Sequence, residues 1–413
     1  MFVAAWIARQ QIIATTPWSD AELALLRSLA LDALPPPPPS PGNAVADDAR
    51  AVEFGRRLFF DPRLSANGQI SCSTCHQPVK NFTDGLKKAR ALGVSQRNTR
   101  SIAAAAYSPW QYADGRRDSL WSQALAPLED PAEHGGTRMQ YARFIATEPV
   151  YRKIYEGIFG DLSDFSDRSR FPDMAAPSPD PAAHKAWAGM SAEDRRTVNR
   201  VFSNLGKALA AFERTQLPGA SPFDYYVASL SKLGNNEQKD QDIFGAREIA
   251  GLRLFIGKAQ CIDCHNGPLF TNNEFHNTGA LPYPGDLPDR GRAQGLREAR
   301  TDEFNCLGEY SDDSKNGCPE LRFARDDATI IGAMRTPSLR NIADTAPYMH
   351  KGQIKSLFEV IDHYRRAEPA IIGHNEAKPL ALSRRERNQL FAFMKTLSGP
   401  LPGQAPQNSS GKP

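Results

Sequence analysis

Two short stretches constrain this chain more than any others: Cys72-Ser73-Thr74-Cys75-His76 and Cys261-Ile262-Asp263-Cys264-His265. Two thiols three positions apart, with an imidazole directly after the second, form the attachment pattern of c-type haem. The thiols add across the two vinyl groups of the porphyrin, and the adjacent imidazole reaches the iron from one face. A lone CxxC also serves as a redox pair or as half a zinc site, and a zinc site wants a second pair and closed four-fold coordination. Here both pairs carry His at the fifth place. The 413 residues hold only 6 Cys and 8 His, so two complete matches are not accidental. The pattern predicts two covalently bound haem c groups, attached through Cys72, Cys75, Cys261 and Cys264, with His76 and His265 as iron ligands.

The chain also repeats itself. Gly55-Arg56-Arg57-Leu58-Phe59 precedes the first motif and Gly251-Leu252-Arg253-Leu254-Phe255 the second. After each motif comes a proline, then Phe82-Thr83-Asp84 or Phe270-Thr271-Asn272. One unit of helix, haem motif and irregular loop is duplicated. Apolar spacing predicts helices over 18–34, where Ser19 and Glu22 can form a capping box, over 47–60, and over 191–215, where Ser191 and Asp194 form a capping signature. Closing helices are predicted over 357–364 and 383–397. Residues 35–39 are all proline and form a stiff extended spacer. Residues 160–190 read as a loop and 277–325 as a long insertion. Strand signals are sparse. The expected fold class is all-α, with two tandem cytochrome c-like haem domains and long irregular loops. The boundaries are an N-terminal extension over 1–46, a first haem domain over 47–220, a second over 221–400, and a disordered tail over 401–413.

Charge is nearly balanced, with 50 Lys+Arg against 47 Asp+Glu, which leaves no electrostatic footprint for nucleic acid or a basic membrane anchor. Residues 1–8 are apolar but short, and read as the remnant of a secretion signal or as a start truncated from upstream. No stretch reaches the length of a membrane-spanning helix. Cys306 and Cys318, left over from the haem motifs, sit in the polar stretch 305–318. A disulfide closing that loop contributes roughly 3 kcal/mol by chain entropy. Haem c and a disulfide both point to an oxidising place, the periplasm.

A haem that only moves electrons has two protein ligands, whereas one that handles peroxide needs an open face and an acid–base group over it. No His or Met closely follows His76 to close its far face. Further on lies the run Asp114-Gly115-Arg116, Gln123, Pro127 and Pro131-Ala132-Glu133. With the haem motifs it resembles the bacterial di-haem cytochrome c peroxidases and the MauG/MbnH branch of that family. The resemblance implies that Glu133 sits over the peroxide-binding iron and moves the proton during O–O cleavage, and that Gln123 and Pro127 line the pocket. Glu129 and His134 are the rivals of Glu133. The family's inter-haem Trp is absent, because Ala113 stands in its place; Trp110, Tyr112 and Trp121 are candidate substitutes.

The segment 335–352 resembles the family's stretch leading to the second iron's far ligand. Peroxidases of the family carry Met there and the MauG-like branch Tyr. The matching place is Tyr364, with Met349, Met334, Tyr348 and His363 as alternatives. The resemblance also implies one calcium ion at Asn98, Thr345 and Pro347, and oxygen ligands suit calcium.

Three functions follow. The first is a MauG/MbnH-like enzyme that uses hydrogen peroxide to form a high-valent di-haem state and oxidises a residue, such as Trp, on a partner protein by long-range electron transfer. The second is a peroxidase reducing hydrogen peroxide to water with a small cytochrome or cupredoxin as donor. The third is a non-catalytic carrier with two closed haems.

Overall fold

The computed structural model describes residues 17–231, 244–313 and 317–402. The expected signal remnant at 1–8 and the tail from 403 on lie outside the described residues. Helices dominate. In chain order they are α1 (Asp20–Leu29), α2 (Ala49–Phe60), α3 (Cys72–Cys75), α4 (Leu120–Glu129), α5 (Arg138–Thr147), α6 (Pro149–Phe159), α7 (Pro181–Gly189) and α8 (Ala192–Arg214). Then follow α9 (Pro222–Ser231), α10 (Ala246–Ile256), α11 (Arg292–Thr301), α12 (Pro319–Arg322), α13 (Leu357–Arg366) and α14 (Arg384–Lys395). The β structure among the described residues is slight: Phe275–His276 pairs antiparallel with Met334–Arg335, beside a few isolated bridges.

The caps form as their residues predict. Ser19 and Glu22 close a capping box at α1, and the Ser191 side chain accepts from Asp194 N at 3.0 Å at α8. Helix α1 is shorter than the predicted 18–34 and gives way to a 3₁₀ turn at Leu31–Ala33. The predicted loop over 160–190 contains α7. Asp180 accepts from Ala183 N at 2.7 Å and Pro181 fills the first helical position, so Asp-Pro starts a helix here. The predicted insertion over 277–325 contains α11 and α12, and its Phe304 and Tyr310 enter the core around α8.

Buried apolar side chains gather in two main clusters. The first draws on α2, α4 to α6 and α8, with Phe54, Phe59, Trp121 and Phe202 inside it. The second draws on α9, α10, α13 and α14, with Phe223, Phe255, Phe270 and Phe393. Burying a side chain of this size contributes about 1.5–3 kcal/mol. Leu26 and Leu29 of α1 also belong to the second cluster, so α1 is stitched to the far half of the chain. The buried Arg340 completes the stitch. Its guanidinium donates to Asp224 Oδ2 at 2.6 Å, Asp224 Oδ1 at 3.0 Å and the Leu29 carbonyl at 3.0 Å.

The duplicated glycines explain how each half closes. Helix α2 packs along α8, and α10 along α14. A Cβ on Gly55 would overlap the carbonyl oxygen of Ala208, and one on Gly251 the carbonyl oxygen of Gln389. Each repeat therefore uses glycine to let two helix backbones touch, just ahead of its haem motif. Gly55→Ala and Gly251→Ala are expected to lower stability by at least the roughly 1–3 kcal/mol of an over-packed core, because backbone cannot rotate aside. Thermal unfolding followed by circular dichroism checks this; an unchanged midpoint would show that the helices part freely.

Candidate active site

Each haem motif begins as a tight turn. Helix α3 covers Cys72–Cys75, and the His76 amide donates to the Cys72 carbonyl at 2.9 Å. Cys261–Asp263 forms a 3₁₀ turn, and the His265 amide donates to the Cys261 carbonyl at 2.9 Å. The irregular loop after each motif then folds back on its histidine. His76 Nδ1 lies 3.2 Å from the Phe82 carbonyl and His265 Nδ1 lies 2.9 Å from the Phe270 carbonyl. Both phenylalanines are left-handed, at φ 57° and 53°, a strain that persists where the surroundings over-determine it. An Nδ1–H donated to a carbonyl fixes the tautomer and leaves Nε2 as the ligating atom. Burial disfavours the charged form of both imidazoles, lowering His265 to about 4, and metal ligation uses the neutral form. None of the four cysteines of the two motifs is in a disulfide.

One cavity of about 1210 Å³ runs past both motifs, larger than a typical pocket for one small ligand. Cys75, His76, Glu133, Gln123 and Pro127 are on its wall, and so are Cys261, Cys264, His265 and Tyr364. It also has cations that want anions. Arg100 and Arg335 both face it, and Arg335 Nε is buried with no hydrogen-bond partner. Burial, and then neighbouring Arg97, depresses Arg100 to about 10; burial, and then Arg100, drives Arg335 well down. The propionates of haem are carboxylates of the kind that satisfies such a pair. Thiols, free imidazole nitrogens and buried guanidinium groups all fit haem c.

Helix α4 and the turn after it build the first end. Gln123 and Pro127 are four residues apart and share a helix face. The chain then turns, with Glu133 N donating to the Asp130 carbonyl at 3.0 Å. Burial raises the Glu133 carboxyl to about 7, with Asp130 adding to the shift and Arg116 opposing it. Its two rivals lie off the wall. Glu129 is held by Arg138 at 2.8 Å, and His134 is buried with Nε2 4.0 Å from Cys72 Sγ.

Of the aromatic candidates near Ala113, Tyr112 alone lines the cavity. The Arg116 guanidinium lies 3.4 Å over its ring, and its hydroxyl accepts from Gln123 Nε2 at 3.4 Å. Trp110 instead stacks under Arg292 at 3.5 Å, and Trp121 is deep in the first cluster.

At the second end, α13 carries Tyr364 on the wall. Burial raises its phenol to about 12, with Cys261 and Cys264 adding to the shift and Thr278 opposing it. His363 points elsewhere and hydrogen-bonds the Thr278 carbonyl through Nε2 at 2.8 Å. Tyr348 lines the cavity but its hydroxyl donates to the Ile342 carbonyl at 3.0 Å. Met334 and Met349 also reach the wall. Asn98, Thr345 and Pro347 line the same cavity, and Asn98 N donates to the His350 carbonyl at 3.1 Å, which ties the two segments together.

Comparison with known proteins now gives the class. The family model for di-haem cytochrome c peroxidase matches residues 49–232. The methylamine utilization protein MauG of Methylorubrum extorquens (strain AM1) is 31% identical over 350 residues, covering 84% of this chain and 77% of that one. Cytochrome-c peroxidase IdrP1 of Pseudomonas sp. (strain SCT) is 28% identical over 385 residues, covering 89% and 86%. Among solved structures, a MauG-like protein associated with microbial copper homeostasis superposes with a TM-score of 0.58 at 26% identity, covering 89% of this chain and 95% of that one. The chain belongs to the di-haem cytochrome c peroxidase family. It is a di-haem oxidoreductase acting on peroxide, and the non-catalytic carrier falls away.

Arg100 and Arg335 on the cavity wall belong to no motif that marks them as site residues. Arg335 opens the 335–352 stretch, but neither its burial nor its pairing with Arg100 is legible in residue order.

Proposed function

We propose that this enzyme works in the MauG/MbnH manner, using hydrogen peroxide to oxidise a residue such as Trp on a partner protein by long-range electron transfer. The reading rests on one observation: a single cavity holds both haem motifs, the raised carboxyl of Glu133 and the phenol of Tyr364. Bound haem would supply the redox chemistry of peroxide cleavage; His76 would hold one iron, and His265 with Tyr364 the other. Glu133 takes a proton from one peroxide oxygen and returns it to the departing one. Gln123 and Pro127 shape the space beside it. Two electrons from the partner and two protons complete two waters. Tyr112 is the aromatic group placed to carry charge where Ala113 replaces Trp. Asn98, Thr345 and Pro347 form the calcium site in this reading, with backbone carbonyls and the Asn98 side-chain oxygen as ligands.

The two clusters support two tandem haem domains, over 47–220 and 221–400. The Cys306–Cys318 disulfide supports a periplasmic location. No helix among the described residues is long and apolar enough to cross a membrane.

Met334 and Met349 on the wall favour the second reading, a peroxidase fed by a small cytochrome or cupredoxin. Steady-state peroxide consumption with such a reduced donor decides between the two. The MauG-type reading expects no donor-dependent turnover; sustained turnover establishes the peroxidase.

A further inference from the structure

Three stretches that lie far apart in sequence meet at the edge of the cavity: 84–94, which follows the first haem motif, 279–288 and 347–353. A Cβ on Gly352 would overlap the Lys87 backbone, so the first and third stretches touch. The Tyr283 hydroxyl donates to the Gly352 carbonyl at 2.7 Å, and the Lys87 and Lys88 ammonium groups lie 5.2 and 6.0 Å from its ring. Gln353 Nε2 donates to the Leu281 carbonyl at 3.4 Å. Around this joint Leu86, Leu281 and Leu287 are 41%, 43% and 85% exposed. Leu86 and Leu281 are off the cavity wall, so a porphyrin seated in the cavity leaves them in solvent. Leu287 and Lys351 are on the wall and tie the surface to the cavity.

Apolar side chains exposed together and rimmed by polar groups mark interaction sites, and the charge here says what partner fits. The three stretches hold two acids. Asp84 is buried and accepts from Thr99 Oγ1 at 2.9 Å. Asp286 lies 3.5 Å from both Lys88 and Lys351. Lys87, Lys88, Arg90 and Lys351 therefore outnumber the one carboxylate left at the surface. We propose that this surface docks the protein that the enzyme oxidises, and that the partner meets it with an apolar spot inside a ring of acidic side chains. The inference rests on the protein-oxidation reading above. Docking here seats the partner at the mouth of the cavity that both haem motifs share. Opposite charge across the contact steers the encounter, and the leucines exclude water from its centre.

The test uses the full-length holoprotein treated with one equivalent of hydrogen peroxide. The probes are three peptides, each with one Trp flanked on both sides by Glu, by Ser or by Lys. Stopped-flow absorbance follows the return to the resting spectrum against peptide concentration and salt. The parent is expected to react fastest with the Glu peptide, with a rate that falls as salt rises. K87E/K88E is expected to slow the Glu peptide by about tenfold or more at low salt, since charge steering is worth roughly 10- to 1,000-fold, to spare the Ser peptide and to speed the Lys peptide. L287S is expected to raise the half-saturating concentration of all three without changing the salt dependence. K153E/K185E makes the same charge change on α6 and α7 and is expected to keep the parental order of peptides. Equal slowing by K153E/K185E overturns the proposal, as does a parental rate in K87E/K88E with both haems attached. If K87E/K88E loses haem, K87Q/K88Q takes its place, and an unchanged preference for the Glu peptide overturns the proposal. If none of the three peptides hastens the return in the parent, the protein-oxidation reading falls and the surface loses its occupant.

Discussion

Glu133→Gln is expected to slow the reaction with peroxide by roughly 100- to 10,000-fold, the usual worth of a positioned acid–base group, with both haems still attached. Glutamine keeps the size of the side chain but cannot take a proton. The sign of the pH dependence follows from the same carboxyl. Burial and Asp130 raise it to about 7. The ionised form accepts the peroxide proton, so the rate should climb as pH rises through about 7 and level above it. In Glu133→Gln this rise should vanish. Stopped-flow mixing with peroxide across pH checks both statements. A variant that reacts at the parental rate with the parental profile would leave Glu129 or His134 to be reconsidered, although neither reaches the cavity.

Tyr364→Phe is expected to change the second haem and spare the first. A phenolate is a hard anionic donor that favours oxidised iron, whereas a thioether favours reduced iron and raises the potential. Removing the hydroxyl should abolish the low-spin ferric signal of that haem. Tyr364→Met should raise its potential and open turnover with a small reduced donor, moving the enzyme toward the second reading. An unaltered low-spin signal in Tyr364→Phe would remove Tyr364 as ligand and leave Met349 or Met334, which also reach the wall.

These residues were legible to different degrees, for physical reasons. The haem motifs were plain because covalent attachment demands two thiols and an imidazole at fixed spacing. The duplicated glycines were plain as a repeat, but their purpose appears only where the Ala208 and Gln389 backbones press on them. Capping residues located α1 and α8 because a cap is a local interaction. Helix α7 escaped because its Asp180 cap and Pro181 start lie in a Pro- and Ser-rich stretch. Phe304 and Tyr310 read as insertion, and only long-range packing puts them into the first core. Which of His363, Tyr348 and Tyr364 lies on the cavity wall depends on the direction of each side chain, which residue order does not hold.

The central claim is that one haem is open to peroxide and that the pair shares the oxidising equivalents. Electron paramagnetic resonance of the resting ferric protein, before and after stoichiometric hydrogen peroxide with no donor present, tests it most directly. One high-spin and one low-spin ferric signal are expected, both lost on adding peroxide. Two low-spin signals indifferent to peroxide would contradict it.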